Sequence, residues 1–374
     1  MTRFLFLFVQ TLLFAFASAQ QTIHFKIGNL PAEPKGYDLF LAGSFNGWKP
    51  GDIAWKFNRM EDGGFFLDAK LAPGTYEYKI TRGSWMEVEC KANGNAQGNR
   101  TLKADAEQTV ILDVEQWSDN FKAPEKLHTA SQNVTIIDTA FYIPQLKRKR
   151  AVSIYLPANY SKTKGRYPVL YLHDGQNVFD DARSYAGEWG VDEFLDSTKL
   201  KNCIVVAVDN GTTKRMNEYN PYDHVSFGKG EGAAYIDFLA KTLKPYIDKR
   251  YRTKKDKAST TLAGSSMGGL ISMYAVLKYP KVFGGAGVFS PAFWVGPSIF
   301  DDIKLKGKKV KSHIYFYAGK QEGETMVPYM LKAFEQMAAV SKSKMTVVVR
   351  DEGKHNEATW RQEFPLFYKW IVSK

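Results

Sequence analysis

Two regimes of hydrophobic patterning divide the chain. From residue 21 to about 115, short apolar runs alternate with turn signals, and no segment has helical periodicity. The runs Asp38 to Ala42, Gly63 to Asp68, Tyr76 to Ile80 and Thr109 to Val114 predict strands. Phe45-Asn46-Gly47, Asp62-Gly63-Gly64, Pro73-Gly74 and Asn93-Gly94-Asn95 lie between them as turns. This is the pattern of a small all-β sandwich of immunoglobulin-like build over residues 20–115. Residues 116–132 are polar and aperiodic, contain Pro124, and are expected to form a linker.

From residue 133 onward, strands and helices alternate. Val152, Ile154 and Leu156 alternate as a half-buried strand. Pro168 to Leu172 and Ile204 to Val208 are continuous apolar or β-branched runs, as strands buried on both faces are. Further strands are expected over Thr260 to Ala263, Phe283 to Phe289, Ile314 to Ala318 and Met345 to Val349. Helices are expected over Tyr235 to Ile247 and Gly269 to Tyr279. A last helix carries Trp360, Phe364, Phe367 and Trp370 on one stripe, with Pro365 as a potential kink. Strand–helix alternation over more than 200 residues predicts an α/β domain with a mostly parallel sheet, spanning 133–374. About 240 residues suffice for one sizeable core.

Residues 1–19 follow neither pattern. Arg3 precedes a nearly unbroken apolar run to Phe16, and Ala17-Ser18-Ala19 supplies small residues. This is the arrangement of a secretory signal peptide cleaved after Ala19, so the protein is expected to be exported, to the periplasm or beyond. The two cysteines, Cys90 and Cys203, fall in different predicted domains and provide no disulfide framework. Neither shows metal-ligand spacing, and no metal or organic cofactor is expected. The net charge of +12 is spread over separate basic clusters beside turns and strand starts. That reads as solvated surface and not as a nucleic-acid interface. No later segment is long and apolar enough to span a bilayer.

The chemistry concentrates in Gly264-Ser265-Ser266-Met267-Gly268, a G-x-S-x-G run between a predicted strand and a predicted helix. That context predicts a nucleophile elbow, with glycine on both sides of a crowded turn. The elbow would lift the Ser266 hydroxyl above the sheet and aim the Met267 amide at a developing oxyanion. A serine needs a base. Of the six histidines only His355 follows a late strand and precedes the final helix; His173 ends an early strand and is expected to pack behind the site. The acid that orients the base should follow the strand Ile314 to Ala318. Glu322 is the first candidate, Glu324 the reserve, and Asp351 a weaker rival. The order serine, acid, histidine is that of α/β-hydrolases. The loop Tyr171 to Asn177 follows an early central strand and offers the Gln176 amide as second oxyanion donor.

These motifs carry a resemblance. Tyr171-Leu172-His173-Asp174-Gly175-Gln176-Asn177, Gly264 to Gly269, Ser290-Pro291-Ala292-Phe293-Trp294 and Gly353-Lys354-His355 resemble the putative esterase family, which includes enterochelin, feruloyl and acetylxylan esterases. The resemblance implies an α/β-hydrolase fold, a triad of Ser266, His355 and an acid after Gly319, and a pocket bordered by Asp174, Arg215, Glu218, Tyr219 and Trp294. The family often has aspartate where this chain has Glu322. Gly43-Ser44-Phe45-Asn46-Gly47-Trp48 and Pro73-Gly74-Thr75-Tyr76-Glu77-Tyr78-Lys79 resemble glycogen-binding domains of carbohydrate-binding module family 48. That resemblance implies either sugar contacts by Trp48, Lys79, Trp85 and Asn99 or a domain of this shape that only packs against its catalytic neighbour; the segment from Arg82 to Arg100 departs from glucan binders.

Three functions are compatible with these residues. The first is hydrolysis of carboxylic esters through an acyl-enzyme, with acetyl or feruloyl groups on polysaccharide ahead of siderophore esters as substrates. The second is carbohydrate binding by a chain whose hydrolase domain is inactive. The third is acyl transfer to a sugar or lipid hydroxyl.

Overall fold

The computed structural model describes residues 20–32, 37–121 and 126–373; the predicted signal peptide lies outside them. The chain forms two compact units, Met1–Pro124 and Glu125–Lys374.

The first unit is all-β. One sheet joins Asn58–Arg59, Phe65–Leu71, Gln21–Ile27 and Gln108–Leu112; a second joins Phe40–Gly43, Gly74–Thr81 and Arg100–Ala104. Alternation along Phe65–Leu71 sends Phe65, Leu67, Ala69 and Leu71 inward. They meet Leu41, Tyr78, Ile80 and Leu102 from the other sheet in one core. The linker expected over 116–132 requires correction. Gln116–Trp117 pairs with Glu89–Cys90, and Trp117 is fully buried in this core. Two aromatics, Trp117 and Phe121, in a polar stretch leave no periodicity to read, yet the burial of Trp117 anchors the chain. Beyond the unit boundary, Thr129 and Ser131 are held to the second unit by Asp180, Glu188 and Asp192.

The second unit is an α/β fold around an eight-stranded mixed sheet. Its strands, numbered within this unit, are β1 (Val134–Ile143), β2 (Arg148–Tyr155), β3 (Val169–Leu172), β4 (Ile204–Val208), β5 (Thr260–Ser265), β6 (Gly285–Phe289), β7 (His313–Gly319) and β8 (Lys344–Arg350). Their spatial order is β1-β2-β4-β3-β5-β6-β7-β8. Strands β3 to β8 run parallel, and β1 and β2 are antiparallel to their neighbours. Central strands β3, β4 and β5 are buried throughout, which is why they read as unbroken apolar runs. One hydrophobic cluster lies under the helices Gly232–Phe238 and Met267–Lys278, the other under the final helix.

That final helix, Glu357–Val372, continues through Pro365. The apolar stripe of Trp360, Phe364, Phe367, Tyr368 and Ile371 is buried against β6 and β7, so packing holds the turn that proline weakens. The helix expected over Tyr235 to Ile247 spans Gly232 to Arg250 and contains a π turn at Leu239–Leu243. Cys90 and Cys203 are both buried free thiols. Among the described residues no helix is long and apolar enough to cross a membrane.

Candidate active site

Strand β5 ends at Ser265, and the Met267–Lys278 helix begins two residues later. Ser266 makes the turn at φ +58° and ψ −119°, a region costing a non-glycine residue about 1–3 kcal/mol. The surroundings enforce it. Ser266 N–H donates to Phe289 O at 2.9 Å, and Ser266 O accepts from Gly269, Leu270 and Ala292 N–H at 3.0–3.1 Å. A Cβ on Gly264 would stand 2.9 Å from the His173 ring, and one on Gly269 2.7 Å from Phe289 O. At Gly268 the nearest atom would be 3.5 Å away, an ordinary contact. The expectation that both glycines of the motif relieve crowding is therefore corrected: Gly264 and Gly269 do so.

His355 leaves β8 on a short loop, and its Nδ1 lies 2.8 Å from Glu322 Oε2. A carboxylate only accepts, so the proton sits on Nδ1 and Nε2 carries the lone pair. The Glu322 side chain is fully buried, whereas that of His355 is 37% exposed. Glu324 is exposed, and Asp351 pairs with Lys320; of the three candidate acids, Glu322 holds the histidine. Glu322 Oε1 accepts from Gly319 N–H at 2.6 Å and from Ser290 O–H at 2.9 Å. Ser290 Oγ in turn accepts from Trp360 Nε1–H, also at 2.9 Å. The Trp360 ring meets His355 edge-on, with centroids 5.0 Å apart.

Ser290 joins the two halves of the site. Its neighbours Phe289 and Ala292 bond the Ser266 backbone, and its own hydroxyl bonds the acid. Sequence reasoning gave Ser290 no individual role. Its signal lay in the position straight after β6, a strand neighbouring both β5 and β7. The Ser266 hydroxyl has no hydrogen-bond partner among the described residues. Such contacts commonly close only when substrate binds.

The expected oxyanion donors have suitable surroundings. Met267 is the first residue of its helix, where amides lack intrahelical partners. Gln176 lies in a turn over Gly175–Asn177, and its side chain accepts from Asn210 N–H at 3.2 Å. Neither the Met267 nor the Gln176 amide donates to another protein group among the described residues.

Asp174 is buried, at φ +54°. Arg215 grips it with two bonds of 2.6 and 2.8 Å, and Asn210 adds a third at 2.7 Å. Burial works against ionisation, but the adjacent guanidinium prevails and holds the carboxyl below its ordinary range. Tyr219 O–H accepts from Asp174 N–H, and its ring lies under Arg215. Glu218 is buried between Arg148 and Arg150. Trp294, two residues beyond the Ala292 that bonds Ser266, is 41% exposed. His173 packs on Tyr219 and Tyr235, and burial pushes its ring down to about 4.

In the first unit, Trp48 and Trp85 are half-buried with ring centroids 6.3 Å apart. The Lys79 ammonium donates to Gln97 O, and Asn99 donates to Glu77.

The family described as Putative esterase matches residues 143–370. The chain is 24% identical over 242 residues to the uncharacterised protein YbbA of Bacillus subtilis, covering 60% of this chain and 93% of that one. It is 29% identical over 233 residues to an endo-1,4-β-xylanase/feruloyl esterase of Xylanibacter ruminicola, covering 61% of this chain and 30% of that one. In fold it is similar to the enterobactin esterase of Shigella flexneri, with a TM-score of 0.51, 14% identity, and coverage of 94% of this chain and 92% of that one. With a match over most of the α/β unit, the chain belongs to the putative esterase family of carboxylic ester hydrolases.

Proposed function

We propose that the protein is an exported serine esterase in which Ser266, His355 and Glu322 act as a triad. The observation that carries this reading is the Glu322–His355 pair, hydrogen-bonded at 2.8 Å and linked through Ser290 to the backbone that holds Ser266. Ser266 Oγ attacks the ester carbonyl as His355 Nε2 takes its proton. The Met267 and Gln176 amides receive the oxyanion. His355 then protonates the departing alcohol, and water repeats the cycle on the acyl-enzyme.

We assign acyl groups on polysaccharide as substrate class, acetyl or feruloyl esters foremost. Two observations support this over a siderophore ester. Arg215, which the family resemblance puts beside the pocket, is already neutralised by Asp174, and Glu322 and Glu357, on either side of His355, are carboxylates. Such a site suits a neutral ester better than a polyanionic iron chelate. The similarity to a xylanase/feruloyl esterase points the same way. In the first unit, the Trp48–Trp85 pair with Lys79 offers stacking faces and a donor to a glucan, as carbohydrate-binding module family 48 domains do.

The test is release of free acid from acetylated xylan, methyl ferulate, a catecholate siderophore ester and p-nitrophenyl acetate, with Ser266→Ala alongside. Release from a polysaccharide ester, abolished in the variant, is expected. Turnover of the siderophore ester alone would move the substrate assignment, and wild-type rates in Ser266→Ala would remove the mechanism.

A further inference from the structure

A third carboxylate stands beside the proposed triad without a part in it. Glu357 follows His355 by two residues at the start of the final helix, and it is half-buried. Its Oε1 accepts from Asn177 Nδ2 at 3.0 Å. Asn177, itself 9% exposed, accepts Tyr185 N–H on its Oδ1 at 3.0 Å. One buried amide therefore fixes both the carboxylate and the backbone of a second loop. That loop lies against Glu357: a Cβ on Gly187 would be 3.7 Å from the Glu357 Cβ. The Tyr185 ring is 76% exposed, although its backbone is fixed. Burial and the charge of Asp174 raise the Glu357 carboxyl, against the opposing pull of His355 and Arg215.

We propose that Glu357 and Tyr185 form the subsite for the leaving alcohol, and that this alcohol is a sugar. The inference rests on the triad reading above, because it takes its sense of direction from His355. When the tetrahedral intermediate collapses, the carbonyl carbon keeps Ser266 Oγ and its bond to the sugar oxygen breaks. The proton that His355 Nε2 took from Ser266 passes to that oxygen, and the sugar leaves as a neutral alcohol. The departing group must therefore lie on the His355 side, where Glu357 stands two residues along the chain and the loop of Tyr185 packs against Glu357. There a carboxylate accepts hydroxyls flanking the ester, while an exposed phenol ring covers an apolar pyranose face. A fixed backbone beneath that ring lowers the ordering cost of binding.

The test compares the full-length protein with Glu357→Gln and Tyr185→Ala on two substrate pairs. Acetylated xylo-oligosaccharide and p-nitrophenyl acetate share the acyl group and differ in alcohol. Methyl ferulate and methyl acetate share the alcohol and differ in acyl group. In both variants the kcat/KM ratio of sugar acetate to p-nitrophenyl acetate is expected to fall at least tenfold, with the ferulate-to-acetate ratio within twofold of wild type. An alcohol ratio unmoved in both variants, or a shift in the acyl ratio instead, overturns the subsite. A wild-type protein that cleaves p-nitrophenyl acetate but no sugar ester also overturns it, with the esterase chemistry intact. No difference between wild type and Ser266→Ala on any ester removes the triad reading and the subsite together.

Discussion

Trp360 Nε1–H donates to Ser290 Oγ at 2.9 Å, which turns the serine hydroxyl proton toward Glu322. An indole only donates, so Ser290 has one direction in which to donate in turn. Removing that hydroxyl strands a buried indole N–H and leaves Glu322 Oε1 held by the Gly319 N–H alone. Ser290→Ala is expected to lower kcat about 10- to 100-fold with KM little changed, and to cost about 1–3 kcal/mol of stability. Steady-state kinetics and urea unfolding of the same preparation check both.

Among the three carboxylates considered for the acid, one touches the histidine. Glu322→Gln puts an amide opposite Nδ1 and favours the wrong tautomer, so kcat should fall by about 10³- to 10⁴-fold. Glu324→Gln and Asp351→Asn should stay within twofold of wild type on p-nitrophenyl acetate. Comparable losses in all three would show that the Glu322 contact does not orient the base.

Burial holds His173 at about 4, below its ordinary 6.5. Between these values the unfolded chain binds more protons than the folded one, so stability falls as pH drops from 6.5 toward 4. The loss reaches at most about 3 kcal/mol. Urea unfolding of wild type and His173→Asn at pH 7 and 4.5 should show it as a difference between the two proteins, the wild type losing more stability on acidification than the variant.

Glu188 titrates in the opposite sense. Burial and nearby Glu193 push it up to about 7, against the pull of Arg361. The folded state then binds more protons between about 4.5 and 7, so this contribution is full at low pH and lost as pH rises through 7. Glu188→Gln should raise the Tm relative to wild type at pH 8, with no gain at pH 4.5. Equal shifts at both values would mean that packing, not ionisation, governs the position.

Sequence pattern and structure agree where short-range signals dominate. Buried strands β3, β4 and β5 are legible because both faces are apolar, and the elbow because glycines bracket a serine between a strand and a helix. The Glu322–His355 pair is legible from chain order. What escaped depends on distance along the chain. Trp360 and Ser290 are 70 residues apart, and Asn177 and Glu357 are 180 apart; no local pattern marks either pair. Trp117 escaped because it and Phe121 make no period in a polar stretch. Gly268 was overvalued because a motif weights its glycines equally, whereas the fold crowds Gly264 and Gly269.

The two halves of the site hang from unequal parts of the sheet. Ser266 grows from β5, a strand buried along its whole length between two neighbours. His355 follows β8, one of the two edge strands, whose interior residues are only half-buried. Strands at a margin open at lower free energy than those at the centre. On warming, the base should drift out of register with its nucleophile while the domain is still folded. Activity should then fade reversibly below the melting temperature, and the usable temperature range is set by the grip of a single outer strand.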